Sequence, residues 1–272
     1  MKEIEKLYIV ETSLAKNEKL TADQKFALAC QLQKLNVDAI EINPEEKDLI
    51  TKLKPEIKEI TVTASALPRQ DSLDETWNAL ESFAIPRLRI KLDPELLKEA
   101  NLNNLEIKND LIKMVKDSIK YAKKLTDNVE FIVVKYKDIH KMFLYRILEA
   151  TGDSDVKIMT VTDKDSIYLT HEYAELFDNI MYNLPEFDKL ILGVSCRNKL
   201  GLATSNTLAA INYGARQADV NLIGSNKCSD NASLKSILKT CELRNDVFKL
   251  THNLNLDELD NSFKMLKDFI NG

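Results

Sequence analysis

The feature that most constrains this chain is an alternation repeated from end to end. Short runs rich in β-branched and aliphatic residues are each followed by a segment with apolar residues at helical spacing. The runs are LYIVETS at 7–13, AIEIN at 39–43, EITVTASA at 59–66, PRLRIKL at 86–92, VEFIVVK at 129–135, VKIMTV at 156–161, KLILGVSC at 189–196 and DVNLIGS at 219–225. After the first run, Phe26, Leu28, Ala29, Leu32 and Leu35 fall near one helical face. Thr21 stands at the N-cap and Gln24 at the capping-box position. After the fourth, Ile112, Val115, Ile119 and Ala122 share one face of a long helix predicted to begin near Asn109. Serial βα units fold either as a closed barrel or as a doubly wound open sheet. Eight units is the barrel number, so a single α/β domain over 1–272 is expected, a (β/α)8 (TIM) barrel spanning 7–243. An extra C-terminal helix over 256–270 would cap the barrel or serve as an interface.

Composition narrows the function classes. The net charge is -5, so nothing drives the chain as a whole toward nucleic acid or an anionic membrane. No apolar run approaches the ~20 residues of a membrane span. The N-terminus MKEIEKLYIVE carries charges where a signal peptide needs an apolar core. Cys30, Cys196, Cys228 and Cys241 form no CxxC pair and read as reduced thiols, which points to the cytoplasm. With only six glycines, neither GxGxxG nor GxxxxGK[ST] occurs.

In such barrels chemistry sits at the C-terminal ends of the strands. Here those ends supply Glu11, Lys16, Glu41, Asn43, Ser65, Asp93, Lys135, Asp163 and Asp165, then Ser195, Arg197, Asn198, Lys199, Ser225 and Lys227. The fold prediction sets Glu11, Glu41, Lys135, Ser195 and Arg197 around one mouth. His140 and His171 fall at helix starts and His252 in the tail, all read as exposed, so a histidine metal site is not expected. Cys196 and Cys228 lack a histidine base and read as buried or idle thiols. Lys135 reads as solvated rather than as a Schiff-base lysine.

Two segments carry a more specific signal. IVETSLAKNEKLTADQKFALACQLQKLNVDAIEI at 9–42 is similar to a family pattern like DTTLRDGEQ followed by a helix and a GVD-IE second strand. GVSCRNKLGLATSNTLAAINYGARQADVNLIGSNKCSDNASL at 193–234 resembles HCHNDLGLA, its ANSLAA-AGA helix and a GERAGNA loop. On these motifs the chain resembles the 2-isopropylmalate synthase, homocitrate synthase and hydroxymethylglutaryl-CoA lyase superfamily. The resemblance implies a divalent cation held by an aspartate after strand one, two histidines at strand seven and an asparagine after strand eight. At those positions this chain has Lys16, Ser195 and Arg197, and Asn231. Ala15 replaces the neighbouring arginine and Lys199 a following aspartate, while Glu18, Glu41, Asn198 and Gly201 match.

A lone asparagine cannot hold a divalent ion against water, and neighbouring cations repel one. Only Asn231 matches a family ligand, so no metal and no other cofactor is expected. The candidate ligand-binding residues are Lys16, Glu41, Ser195, Arg197 and Asn198. Two readings of the cations stand: fixed charges for a 2-oxo acid or dicarboxylate, or drift, with the side chains pairing Glu11, Glu18 or Glu41. The resemblance implies a homocitrate synthase-like or isopropylmalate synthase-like barrel subunit, catalytically silent alone. Its expected partner is a homologous barrel chain, in a homo- or hetero-oligomer that condenses acetyl-CoA with a 2-oxo acid. The alternatives are a metal-independent lyase or transferase and a dicarboxylate-binding module.

Overall fold

In the computed structural model, residues 5–17, 19–92, 95–97, 105–135, 139–163, 166–183, 190–223 and 231–271 are described, apart from the side chains of 16, 135 and 271. The strands are β1 (Tyr8–Glu11), β2 (Ala39–Glu41), β3 (Thr61–Ala66), β4 (Pro86–Lys91), β5 (Val129–Lys135), β6 (Ile158–Asp163), β7 (Ile191–Cys196) and β8 (Gln217–Asn221). Each pairs in parallel with the next in sequence. The sheet closes where β8 also pairs with β1, from Tyr8↔Gln217 to Glu11↔Val220. The expected (β/α)8 barrel is therefore the fold. A two-residue strand, Ala232–Ser233, extends the edge of β8.

The helices between strands are α1 (Ala22–Leu35), α2 (Lys47–Glu56), α3 (Gln70–Leu80), α4 (Leu105–Leu125), α5 (Lys141–Gly152), α6 (Thr170–Asn183) and α7 (Ala203–Asn212), with α8 (Leu234–Leu243) after the last strand. The capping box on α1 forms as expected. Thr21 Oγ1 accepts from the Gln24 amide at 3.2 Å, and Gln24 Oε1 accepts from the Thr21 amide at 2.9 Å. The helix stops at Asn36, whose φ of 59° is left-handed, a conformation asparagine tolerates. The apolar face of α4 is buried through Val115, Ile119 and Ala122. A fully buried valine or isoleucine such as Val115 or Ile119 contributes roughly 1.5–3 kcal/mol over exposure.

Three local differences matter. The first run leaves the sheet at Glu11 and turns into a one-turn helix, Ser13–Lys16, so Thr12 and Ser13 become mouth residues. The helix expected near Asn109 is already formed at Leu105. The last helix, α9 (Leu259–Asn271), packs outside the barrel against α1 rather than capping it. Gln31 Nε2 donates to Glu258 Oε2 at 2.8 Å and to Ser262 Oγ at 3.2 Å, and Phe263 and Leu266 are buried. Before α9, Leu250–Thr251 pairs with Glu5–Lys6 and ties the start of the described chain to this segment.

Candidate functional site

Parallel strands covered by helices usually read as continuous apolar runs. Strand β4 departs from this: PRLRIK places Arg87 and Arg89 two residues apart, hence on one face. That face is the barrel interior, because both side chains reach across to β8. Arg89 Nη2 lies 2.9 Å from Asp219 Oδ1 and Oδ2, and Arg87 Nη1 donates to Gln217 Oε1 at 3.0 Å. Arg89 Nη2 also donates to Glu130 Oε1 of β5 at 2.7 Å, and its Nη1 is 3.4 Å from Glu41 Oε1 of β2. Arg87 Nη1 stands 3.5 Å from Glu130 Oε2. Thr160 Oγ1 and Gln217 Nε2 donate to Glu130 Oε1 at 2.7 and 3.0 Å. Gly193 leaves room for this contact, since a Cβ there would sit 2.1 Å from Thr160 Oγ1.

The cluster is dry. Arg89 and Glu130 are fully buried, and Asp219 is 2% and Glu41 6% exposed. Charges removed from water are tolerated only when closely paired. Burial works against the Arg89 cation, but Asp219, Glu130 and Glu41 outweigh it and hold its pKa above the ordinary guanidinium range. Arg87 moves the other way: burial lowers it, with Glu130 opposing.

A second network lies where β1 and β8 end. Glu11, fully buried, accepts from the Ser13 amide at 3.0 Å, from the Ser13 hydroxyl, and from the Leu222 amide at 3.2 Å. Thr12 Oγ1 donates to the Val220 carbonyl at 3.1 Å and accepts from Asn221 and Asn231 Nδ2 at 3.1 and 3.0 Å. The Asn231 amide donates to Asn221 Oδ1 at 2.9 Å, while the buried Asn231 Oδ1 has no hydrogen-bond partner among the described residues.

The residues singled out in the sequence divide accordingly. Glu41 joins the arginine cluster and accepts from Ser65 Oγ at 2.7 Å. Ser195, 5% exposed, is the register partner of Asp219 and so stands at the same level of the barrel. Arg197 follows β7, is half-buried and makes no ion pair among the described residues. Asn198 turns to its own chain, where its Oδ1 accepts from the Ala203 amide at 3.0 Å at the start of α7. Cys196 is fully buried, and burial pushes its thiol up to about 12, so the idle reading fits. His140 and His171 are exposed, but His252 is half-buried, with Nδ1 enclosed and its pKa lowered by burial. The side chains of Lys16 and Lys135, and residues Glu18, Asp93, Asp165, Ser225, Lys227 and Cys228, lie outside the described parts.

Arg87, Arg89, Glu130, Gln217 and Asp219 were not anticipated. The available signal was the period-two charge in PRLRIK, which a strand buried on both faces should not carry.

Fold and site together define a parallel (β/α)8 barrel with a charged interior, in which Arg87, Glu130 and Gln217 stand near the starts of their strands, Arg89 and Asp219 in mid-strand and Glu41 at a strand end. The chain matches the HMGL-like family over residues 8–265 and belongs to it. It is 28% identical to the 2-isopropylmalate synthase of Aquifex aeolicus, over 96% of this chain and 52% of that protein. It is 27% identical to that of Pyrococcus furiosus, over 96% and 54%. The chain thus spans about half the length of these relatives. Among solved structures it resembles the HMG-CoA lyase of Brucella melitensis, with a TM-score of 0.73 at 14% identity covering 98% of this chain and all of that one. The carboxyl transferase domain of Rhizobium etli pyruvate carboxylase gives 0.74 at 10%, covering 98% and 48%. At these identities the structural likeness speaks for the fold alone.

The residues present do not fit the divalent ion that the superfamily resemblance implies. Among the described residues, no three histidine, cysteine, aspartate or glutamate side chains are grouped to hold a metal. The interior carboxylates of β2, β5 and β8 instead converge on the Arg89 guanidinium. Among the described residues, no helix is long and apolar enough to cross a membrane.

Proposed function

We propose that this chain is an isopropylmalate synthase-like or homocitrate synthase-like barrel subunit that runs no metal-assisted condensation by itself. Its partner would be a homologous chain that condenses acetyl-CoA with a 2-oxo acid, in the cytoplasm. The observation that carries the reading is the replacement of imidazole at strand seven. Ser195 and Arg197 stand there, a buried hydroxyl and a cation, neither of which ligates a divalent ion well. Condensation onto a ketone carbonyl gains from a Lewis acid on the carbonyl oxygen, worth several kcal/mol of transition-state stabilisation. The test is to express the chain alone and together with a metal-competent homologue, then follow acetyl-CoA consumption and copurification. No turnover by the isolated chain, with turnover and copurification in the mixture, is expected. Condensation by the isolated chain with chelator present would overturn the reading.

One observation favours a second reading. Arg197 lies beyond the end of β7 without an ion-pair partner among the described residues. A carboxylate ligand there would gain roughly 1.5–3 kcal/mol per charge-assisted hydrogen bond. Oxaloacetate, 2-oxoglutarate or citrate should then raise the melting temperature, and Lys16→Ala with Arg197→Ala should abolish the rise. A melting curve unmoved by all three removes this reading and leaves the first untouched.

A further inference from the structure

A cleft of about 500 Å³ lies outside the barrel, between α8, the start of α9 and the Leu250–Thr251 strand. Leu7 lines it where the chain enters β1, at the end of the strand away from the mouth. Its walls are tied in place rather than free to collapse. The Leu7 amide donates to the Thr251 carbonyl, the Asn255 amide to the Leu35 carbonyl and Asn36 Nδ2 to the Asn253 carbonyl, each at 2.8 Å. The floor is apolar, through Leu7, Leu238, Leu250 and Leu259. Burial alone pushes the adjoining Cys241 thiol up to about 11, the mark of a poorly hydrated wall. The rim is charged. Lys235 and Lys239 stand one helical turn apart on α8, and neither makes an ion pair among the described residues. Lys235 reaches across to α9, where its Nζ stands 5.0 Å from the centre of the Phe263 ring. Glu242, also on α8, offsets one of the two charges. His252 completes the lining. Its Nδ1 is closed off, so Nε2 is the polar atom that the ring can offer the cleft. Burial lowers its pKa, with Asp38 opposing, so the ring is neutral near neutral pH.

We infer that this cleft binds a small aliphatic carboxylate carrying one hydroxyl, at a site separate from the barrel mouth. Its volume falls within the range of small-molecule sites, and an apolar lining with a few polar groups is their usual make-up. Each part of the ligand answers one part of the cleft. The aliphatic body covers the leucine floor. The carboxylate meets Lys235 and Lys239, and the single net positive charge left by Glu242 suits one carboxylate better than two. A neutral imidazole nitrogen donates or accepts according to its tautomer, and a hydroxyl on the ligand answers both. None of these residues belongs to the mouth, so the inference is independent of the proposed function.

The test is calorimetric titration of the full chain near neutral pH, with 2-hydroxy-4-methylpentanoate as the probe and melting curves as a second readout. The probe should bind, and should bind more tightly than each of three relatives. These are glycolate, which lacks the apolar body, 4-methylpentan-1-ol, which lacks the carboxylate, and 4-methylpentanoate, which lacks the hydroxyl. Lys235→Ala with Lys239→Ala should weaken the probe about tenfold or more, the least that one charge-assisted hydrogen bond is worth. Both lysines are exposed, so that variant should fold as wild type does. His252→Phe should weaken the probe about threefold or more and leave 4-methylpentanoate unchanged, a split that a merely structural role would not produce. If His252→Phe does not fold, the ratio of probe to 4-methylpentanoate on wild type decides the part of the hydroxyl. Arg197→Ala should bind the probe as wild type does. No binding of the probe at about 10 mM would overturn the inference. So would a double-lysine variant that binds unchanged, or equal affinity for the probe and its relatives. Binding lost in Arg197→Ala and kept in the lysine variant would place the ligand at the mouth and overturn it as well.

Discussion

Two buried acidic centres share the barrel, and their partners among the described residues differ. At the end of β1, the donors to Glu11 among the described residues include two backbone amides and a hydroxyl from the chain around the β1 and β8 ends. Deeper in, Glu130 and Asp219 are held by Arg89 from a third strand. A carboxylate beside a turn can be met by the amides that the turn frees, because those amides need acceptors in any case. A carboxylate in the middle of a strand cannot, because the neighbouring amides are spent on the ladder. It needs a side chain from another strand, as Glu130 has from its register partner Arg89 and Asp219 from the same arginine across the barrel, and only a cation balances its charge. Charge-balanced centres should therefore be more sensitive to the loss of one member than hydrogen-bonded ones.

Four substitutions and a labelling experiment sharpen or break this contrast. The largest effect is expected for Glu130→Ala, which strips Arg87 and Arg89 of a shared partner and leaves buried positive charge. A loss of about 3–5 kcal/mol in urea unfolding is expected. Glu11→Gln keeps the shape but loses the charge and sets an amide nitrogen against donors, for a loss of about 1–3 kcal/mol. A Glu11 effect as large as that of Glu130 would break the comparison. Thr12→Val removes the hydroxyl that joins Asn221, Asn231 and the Val220 carbonyl, and should lose about 1–2 kcal/mol. Arg197→Ala touches neither centre and should stay within about 0.5 kcal/mol of wild type.

The labelling experiment concerns Cys196, where burial raises the thiol to about 12 from an ordinary value of 9.0. The folded value lies above the unfolded one, so the folded state keeps its proton longer. The stability this contributes is complete below pH 9 and is lost as pH rises from there toward about 12. In native protein at pH 8, iodoacetamide should leave Cys196 unmodified while the partly exposed Cys30 reacts. Peptide mapping by mass spectrometry reads both. Rapid labelling of Cys196 would mean that the β7 end opens in solution.

Much of the fold and part of the site can be read from the chain itself. Alternating β-rich and amphipathic segments, Thr21 with Gln24 at a helix start, and the barrel number of eight are local or repetitive signals, and local physics decides them. The substitutions at the strand-seven positions, Ser195 and Arg197, are equally legible, because a motif carries its own register. The helix after 256 was legible as a helix, but its seat against α1 depends on Gln31 meeting Glu258 and Ser262 in space.

The interior charges were the part that sequence could not assign. Strand alternation places Arg87 and Arg89 on one face, but it does not say which face, nor what stands opposite. Their partners Glu130, Gln217 and Asp219 lie up to 130 residues away. Which of them meet depends on the tilt and stagger with which eight strands close into a barrel. The sequence alone determined the strands and most of the helices. Only closure of the sheet decided that Glu41 and Asp219 would share the arginine that pairs with Glu130 on the next strand, because those contacts exist across the barrel and nowhere along the chain.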